Sequence, residues 1–241
     1  MFTENVSNPL FGKKAIFDGD SICDPNNWGS YPQIICEKNY MSYHNGAVSG
    51  GTITSGLYYD GGGARHWVSG NVDALHTAHP DADYIIFEGG TNDADVIGNA
   101  MGETKPAKFG SFTDRDYSGN YDENTFCGAV ETLFYKAVNY WPTKKIGFII
   151  AMKMGEAAYN YYHNRYKYFT TIMDICKKWG IPYINLWDEC PMNPNLEVFW
   201  DPSKTAAENR EAGKLYNDGQ HPTPTGYQFL APKIEAWMKT L

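Results

Sequence analysis

The sequence predicts one α/β domain built on a doubly wound parallel sheet. Short apolar runs alternate with stretches of helical spacing along the 241 residues, the pattern of a parallel sheet covered on both faces. Three of the runs give way at once to clusters of Gly, Asp, Asn and Ser, and the carboxyl ends of strands are where open sheets bind ligands. The length suits a single domain over residues 1–241, large enough to bury about three quarters of the surface its unfolded chain exposes.

The elements follow in order. Residues 1–12 read as a lead-in arm, and Ala15-Ile16-Phe17 as the first strand. Met41 to His44 is a weaker strand candidate, and Tyr84-Ile85-Ile86-Phe87 a clear one. Residues 94 to about 122 carry five spaced Gly and Pro residues (Gly98, Gly102, Pro106, Gly110, Gly119) and no periodicity. A long structureless stretch inside a compact domain is either a functional loop or lid, or a tolerated surface insertion. Phe126, Val130, Leu133, Phe134, Ala137 and Val138 then recur on one helical face, before a strand at Ile146 to Ile150. A second stripe, Tyr162, Tyr166, Phe169, Met173 and Cys176, leads to a strand at Ile181 to Ile184. Residues 188–217 read as irregular, and Tyr227, Leu230, Ile234, Trp237 and Leu241 form a closing helix. Strands alternating with helices give βαβ units, whose right-handed crossovers produce the doubly wound sheet.

Composition excludes several function classes. A net charge of -8 with no basic stripe argues against nucleic acid. No apolar run is long enough to cross a bilayer, and Met1-Phe2-Thr3-Glu4-Asn5 lacks a signal peptide's basic and apolar regions. The expectation is a cytoplasmic protein as written, or a secreted domain whose export signal has been removed, with no membrane partner. Five cysteines (Cys23, Cys36, Cys127, Cys176, Cys190), odd in number and without CxxC spacing, read as buried thiols. His76 and His79 with Asp81 and Asp83 read as a solvated helix end rather than a metal cluster, since no His-Glu-x-x-His signature accompanies them. Gly61-Gly62-Gly63 lacks the lysine of a phosphate loop.

Four turn clusters hold residues able to do acyl-transfer chemistry. They are Asp18-Gly19-Asp20-Ser21, Asn45 to Thr52, Glu88-Gly89-Gly90-Thr91-Asn92-Asp93, and Asp218-Gly219-Gln220-His221. Together they supply a hydroxyl, amide donors, a carboxylate and an imidazole. Each has a duller reading. Ser21 could cap a helix, Gly50 and Gly51 could make a tight turn, Asn92 could be a loop asparagine, and Asp218-Gly219 is itself a turn signal. What tips His221 is an aspartate three residues earlier on a short turn, so that a carboxylate can orient the imidazole.

The ordered set resembles the SGNH (GDSL-type) hydrolases. Gly19-Asp20-Ser21 is similar to their first block, the stretch around Gly50 to the second, Gly90-Thr91-Asn92-Asp93 to the GxND block, and Asp218-Gly219-Gln220-His221 to the DxxH block. Ile22 departs from the leucine of the GDSL name, and the Gly-x-Ser-x-Gly elbow of α/β-hydrolases is absent. The resemblance implies a flavodoxin-like three-layer α/β/α fold with a mainly parallel five-stranded sheet. It also implies a serine esterase with Ser21, Asp218 and His221 as triad, and Ser21, Gly50 and Asn92 as oxyanion donors. No metal or organic cofactor is called for. The aromatic residues, 15% of the chain, suggest a short acyl, acetyl above all, on a carbohydrate. Trp28, Tyr31 and Trp67 are the candidate substrate contacts, with Tyr58 and Tyr59 near Trp67, and Phe109, Phe112, Tyr117 and Tyr121 in the long segment. The bland alternative is that these rings pack the loops onto the domain. A lipase, a thioesterase and a non-catalytic glycan-binding module are rival readings, as is a metal-dependent phosphoesterase, which the lack of a carboxylate and histidine cluster at the strand ends disfavours.

Overall fold

Strands β1 (Lys14–Asp18), β2 (Ser42–Asn45), β3 (Tyr84–Glu88), β4 (Lys145–Ile150) and β5 (Tyr183–Asn185) form one parallel sheet in the order β2-β1-β3-β4-β5. The computed structural model describes residues 8–26, 29–57, 63–94, 107–155 and 162–241. This is the flavodoxin-like strand order, with its switch point between β1 and β3. The crevice outside their carboxyl ends is therefore where a ligand belongs.

The apolar runs explain the ranks of the strands. All five residues of β3 are buried, as a central strand covered on both faces requires. β2 is an exposed edge of four polar and aromatic residues, short as edge strands tend to be. Helix α1 (Tyr31–Lys38) packs against α8 (Pro224–Met238), while α2 (Val68–Ala78), α4 (Phe126–Tyr140) and α5 (Tyr162–Trp179) pack in sequence. These are the two outer layers that right-handed crossovers generate. The short helices α3 (Thr91–Ala94), α6 (Leu186–Glu189) and α7 (Ala206–Glu211) complete the order.

Local chemistry sets the helix starts. The side chains of Ser30, Thr125 and Thr223 accept the backbone N–H groups of Gln33, Gly128 and Gly226, capping α1, α4 and α8. Each such cap contributes about 1 kcal/mol. Thr205 and Glu208 form a reciprocal capping box at α7.

The structure revises the sequence reading at three places. The last strand begins at Tyr183 rather than Ile181, because Pro182 has no N–H for the ladder and offers only its carbonyl, to Phe148. The stretch 188–217 is not wholly irregular, since α7 lies within it. In the long segment, residues 107–122 hold neither helix nor strand, and their aromatic rings meet rings of α4 and α5, Tyr117 while remaining exposed. Phe109 meets Phe126 and Tyr168, Tyr117 meets Trp179, and Tyr121 meets Tyr135. The part of that segment from 95 to 106, and residues 1–7 of the lead-in arm, lie outside the described residues. The five cysteines are buried and unpaired, as expected. Among the described residues, no helix is long and apolar enough to cross a membrane.

Candidate active site

The nucleophile candidate sits on one helical turn directly after β1. The Asp20 carbonyl accepts the N–H groups of Cys23 and Asp24, and its Oδ1 accepts that of Ile22 at 2.9 Å. Gly19 is required where β1 meets the end of β3. A Cβ there would stand 2.9 Å from Glu88 Oε2 and 3.0 Å from the Glu88 carbonyl oxygen. The phenol of Tyr227 on α8 donates to the Ile22 carbonyl at 3.0 Å and ties the turn to the closing helix.

The structure brings Ser21, His221 and Asp218 into one hydrogen-bonded line, although Ser21 and His221 are 200 positions apart. Ser21 Oγ lies 2.9 Å from His221 Nε2, and His221 Nδ1 lies 2.8 Å from Asp218 Oδ2. Ser21 is 5% exposed and the His221 side chain 16%. Both are therefore sheltered, yet reachable. The other Asp218 oxygen accepts the backbone N–H groups of Gln220 and His221, at 3.0 and 2.8 Å. Burial works against the Asp218 carboxylate. The hydrogen bond and charge of His221, with those two N–H groups, outweigh it and hold the carboxyl below its usual range.

The loop carrying this pair is closed and braced. Asn217 donates from its backbone to the His221 carbonyl and from its side chain to the Pro222 carbonyl. Gly219 takes φ +82°, and a Cβ there would come 2.8 Å from the Trp200 ring. Its carbonyl accepts the Gly155 N–H at 2.7 Å, and the buried guanidinium of Arg165 donates to Gln220 at 2.8 Å.

The second and third blocks are clamped to the first. The Val48 N–H donates to the Gly19 carbonyl, and the Ser49 N–H to Asp24 Oδ2 at 2.7 Å. Asn92 donates through Nδ2 to the Gly51 carbonyl at 2.8 Å, leaving its amide a further N–H. The buried Asp93 accepts the N–H groups of Ile53 and Thr54, both at 2.9 Å. Arg65 Nη1 reaches the Gly50 carbonyl at 2.6 Å. A second His–carboxylate pair stands beside this block. His66 Nε2 is 2.7 Å from the fully buried Asp18 Oδ1, and Asn71 donates to Asp18 Oδ2 at 3.0 Å. Burial lowers the His66 pKa, but the hydrogen bond and charge of Asp18 win and hold it above the ordinary value.

The match to a known family follows that geometry. The pattern of the GDSL-like lipase/acylhydrolase family fits residues 16–229. The chain belongs to that family. Among solved structures similar to it are three bacterial proteins of low identity. One is a Lactobacillus plantarum protein, 21% identical at a TM-score of 0.71, covering 95% of this chain and 98% of that one. The lipase/acylhydrolase from Enterococcus faecalis is 15% identical at 0.57, covering 95% and 96%. A carbohydrate acetylesterase family member from Sinorhizobium meliloti is 15% identical at 0.53, covering 95% and 100%. Such likenesses show the fold. No curated protein matches the chain.

The substrate contacts fare differently. Tyr31 is 1% exposed, packed edge-on to Phe17 and against Tyr227. It is a core residue and not a substrate contact: helix α1 starts at this position, and its first turn faces the sheet. Trp67 is half-buried beside the second block, bridged to Thr52 and bonded through Nε1 to the Leu57 carbonyl. Trp28, Tyr58 and Tyr59 lie outside the described residues. Sequence reasoning missed Asp24 and Arg65, which have no local pattern to mark them. It named Glu88 within its turn cluster but gave it no role, although the signal was plain: a carboxylate ending an apolar strand that the fold buries on both faces.

Proposed function

We propose that the chain is a serine esterase that removes a short acyl group, most simply acetyl, from a carbohydrate or similar polar alcohol. The observation that carries the esterase reading is the hydrogen-bonded line from Ser21 through His221 to Asp218. Serine at its free pKa is a weak nucleophile and needs such a base. His221 takes the Ser21 proton as Oγ attacks the ester carbonyl, then returns it to the departing alcohol. Water, activated by the same imidazole, releases the acid from the acyl-enzyme. Asp218 holds the imidazole with its proton on Nδ1 and stabilises the imidazolium. The backbone N–H groups of Ser21 and Gly50 and the Asn92 amide hold the oxyanion. Asn92→Ala is expected to cost about 2.7–4 kcal/mol, a fall of roughly 10²–10³ in kcat, with KM little changed. A change confined to KM would make Asn92 a ground-state binding residue instead.

Two things support the acetyl–carbohydrate part. The turns around the site are built from Gly, Asn, Asp and Ser rather than from the apolar lining a long acyl chain needs, and carbohydrate acetylesterases share the fold. Trp67 remains the candidate sugar platform, an aromatic face with a bonded polar edge. The test is a chain-length series of p-nitrophenyl esters beside acetylated oligosaccharides. The expected result is the highest kcat/KM on the acetyl ester, with acetate released from at least one glycan. A peak at octanoyl or longer, with no acetate released, favours a lipase or thioesterase. Glycan binding without turnover of any ester makes the chain a binding module.

A further inference from the structure

Asp20 and Glu88 place two carboxyls beneath the nucleophile that the proposed chemistry does not use. Asp20 immediately precedes Ser21, Glu88 ends β3, and both are fully buried. The Asp20 backbone N–H donates to Glu88 Oε2 at 3.2 Å, so the Glu88 side chain supports the turn directly. Asp20 Oδ1 accepts the Ile22 N–H. The remaining oxygens, Asp20 Oδ2 and Glu88 Oε1, are buried without a partner at normal hydrogen-bond length among the described residues, and the one hydroxyl acting on Asp20, that of Thr91, is itself buried and otherwise unpartnered. The two carboxyls nevertheless interact with each other. Two carboxylates cannot bond to one another; a carboxylic acid and a carboxylate can.

The surroundings hold no surplus of positive charge. Asp93 on α3 and Asp18 at the end of β1 are carboxyls, as is Asp24 on the turn. Cys23, Tyr31 and Tyr227 are a thiol and two phenols that burial keeps neutral, and among the described residues His221 is the base that acts on Asp20.

We propose that the Asp20 and Glu88 carboxyls share one proton, and that this acid–carboxylate pair is a positioning device for the Ser21 turn. Glu88 is the acid. Burial, then the Asp20 charge, push it well above the usual carboxyl range. Burial raises Asp20 as well, but the Ile22 N–H and the facing His221 favour its charged form. The kinetic consequence rests on the esterase reading. When alkali removes the shared proton as water, two carboxylates remain in one dry site beneath Ser21. Their repulsion acts on the Asp20 N–H contact and shifts both Oγ and the Ser21 N–H. A serine–histidine mechanism alone needs only neutral His221 and so holds its activity on the alkaline side. The pair adds an alkaline decline.

The test combines infrared spectroscopy of the whole protein with pH profiles on p-nitrophenyl acetate. Wild type is expected to show a protonated carboxylic-acid band at neutral pH that alkali removes and that Glu88→Gln lacks. Its kcat is expected to fall on the alkaline side with KM nearly constant. Glu88→Ala is expected to lower kcat by about tenfold or more, a misplacement effect. Glu88→Gln, whose amide still bonds Asp20, is expected to recover most of kcat at neutral pH and to abolish the decline. An alkaline plateau in wild type, or the same decline in Glu88→Gln, overturns the positioning role. Absence of the acid band overturns the shared proton while leaving the esterase reading intact. The band is read without substrate, so it also decides for the pair if no ester is turned over; if Glu88→Gln fails to fold, Asp20→Asn takes its place, and a band that persists there unchanged belongs to another buried carboxyl such as Asp93 and overturns the shared proton.

Discussion

Ser21→Ala is expected to lower kcat/KM on p-nitrophenyl acetate by about 10⁵- to 10⁶-fold, the scale seen when a serine nucleophile is removed from a working triad. The substitution deletes one oxygen from a buried side chain, on a turn that Asp20 and Tyr227 hold. The thermal midpoint should therefore stay close to that of wild type. A fluorophosphonate should label the wild-type protein at Ser21 and leave the variant unlabelled. The donors proposed for the oxyanion, the backbone N–H groups of residue 21 and Gly50 and the Asn92 amide, survive in the variant, so a small residual rate above water is part of the expectation. Turnover near the wild-type value would remove the nucleophile from this position and the esterase reading with it.

Much of the fold was legible because the strands are nearly pure runs. Tyr84 to Phe87 and Ile146 to Ile150 are too apolar and too short to be anything but buried strands, and the sheet places them side by side. What the sequence hid was set by tertiary context or by small signals. The β5 boundary turned on the missing N–H of one proline. The Thr205-x-x-Glu208 box was legible in principle, and α7 went unread because its six residues carry no apolar stripe. Tyr31 illustrates the opposite failure. An aromatic residue beside a functional turn was read as a ligand contact, but the fold turns helix α1 so that this ring faces the sheet.

The candidate site was legible because chemistry fixes residue types while the fold fixes their order. Hydroxyl and imidazole stand in turns and the amide on the short helix α3, with hydroxyl and amide following the adjacent ends of β1 and β3. The supports were not legible. Arg65 on the Gly50 carbonyl, Asp24 on the Ser49 N–H and Arg165 on Gln220 are long-range partners. Nothing in a linear pattern says which arginine will reach which carbonyl.

Asp218→Asn should then lower kcat by about 10⁴-fold with little change in KM, because it alters the tautomer rather than the binding of the ester. In the proposed mechanism Asp218 Oδ2, 2.8 Å from His221 Nδ1, accepts its proton and leaves Nε2 with a lone pair toward Ser21. The asparagine oxygen can take over the two backbone N–H bonds now made to Oδ1. Its NH₂ group then faces Nδ1, the imidazole moves its proton to Nε2, and the ring donates to Ser21 where it should accept. The turn survives and the base is lost. Asp218→Ala separates the two roles, since it removes the backbone acceptor as well. It should lower the thermal midpoint along with kcat, whereas the asparagine variant lowers kcat alone. Steady-state kinetics beside thermal melts of both variants are the check. A wild-type kcat in Asp218→Asn would show that a different carboxylate orients His221.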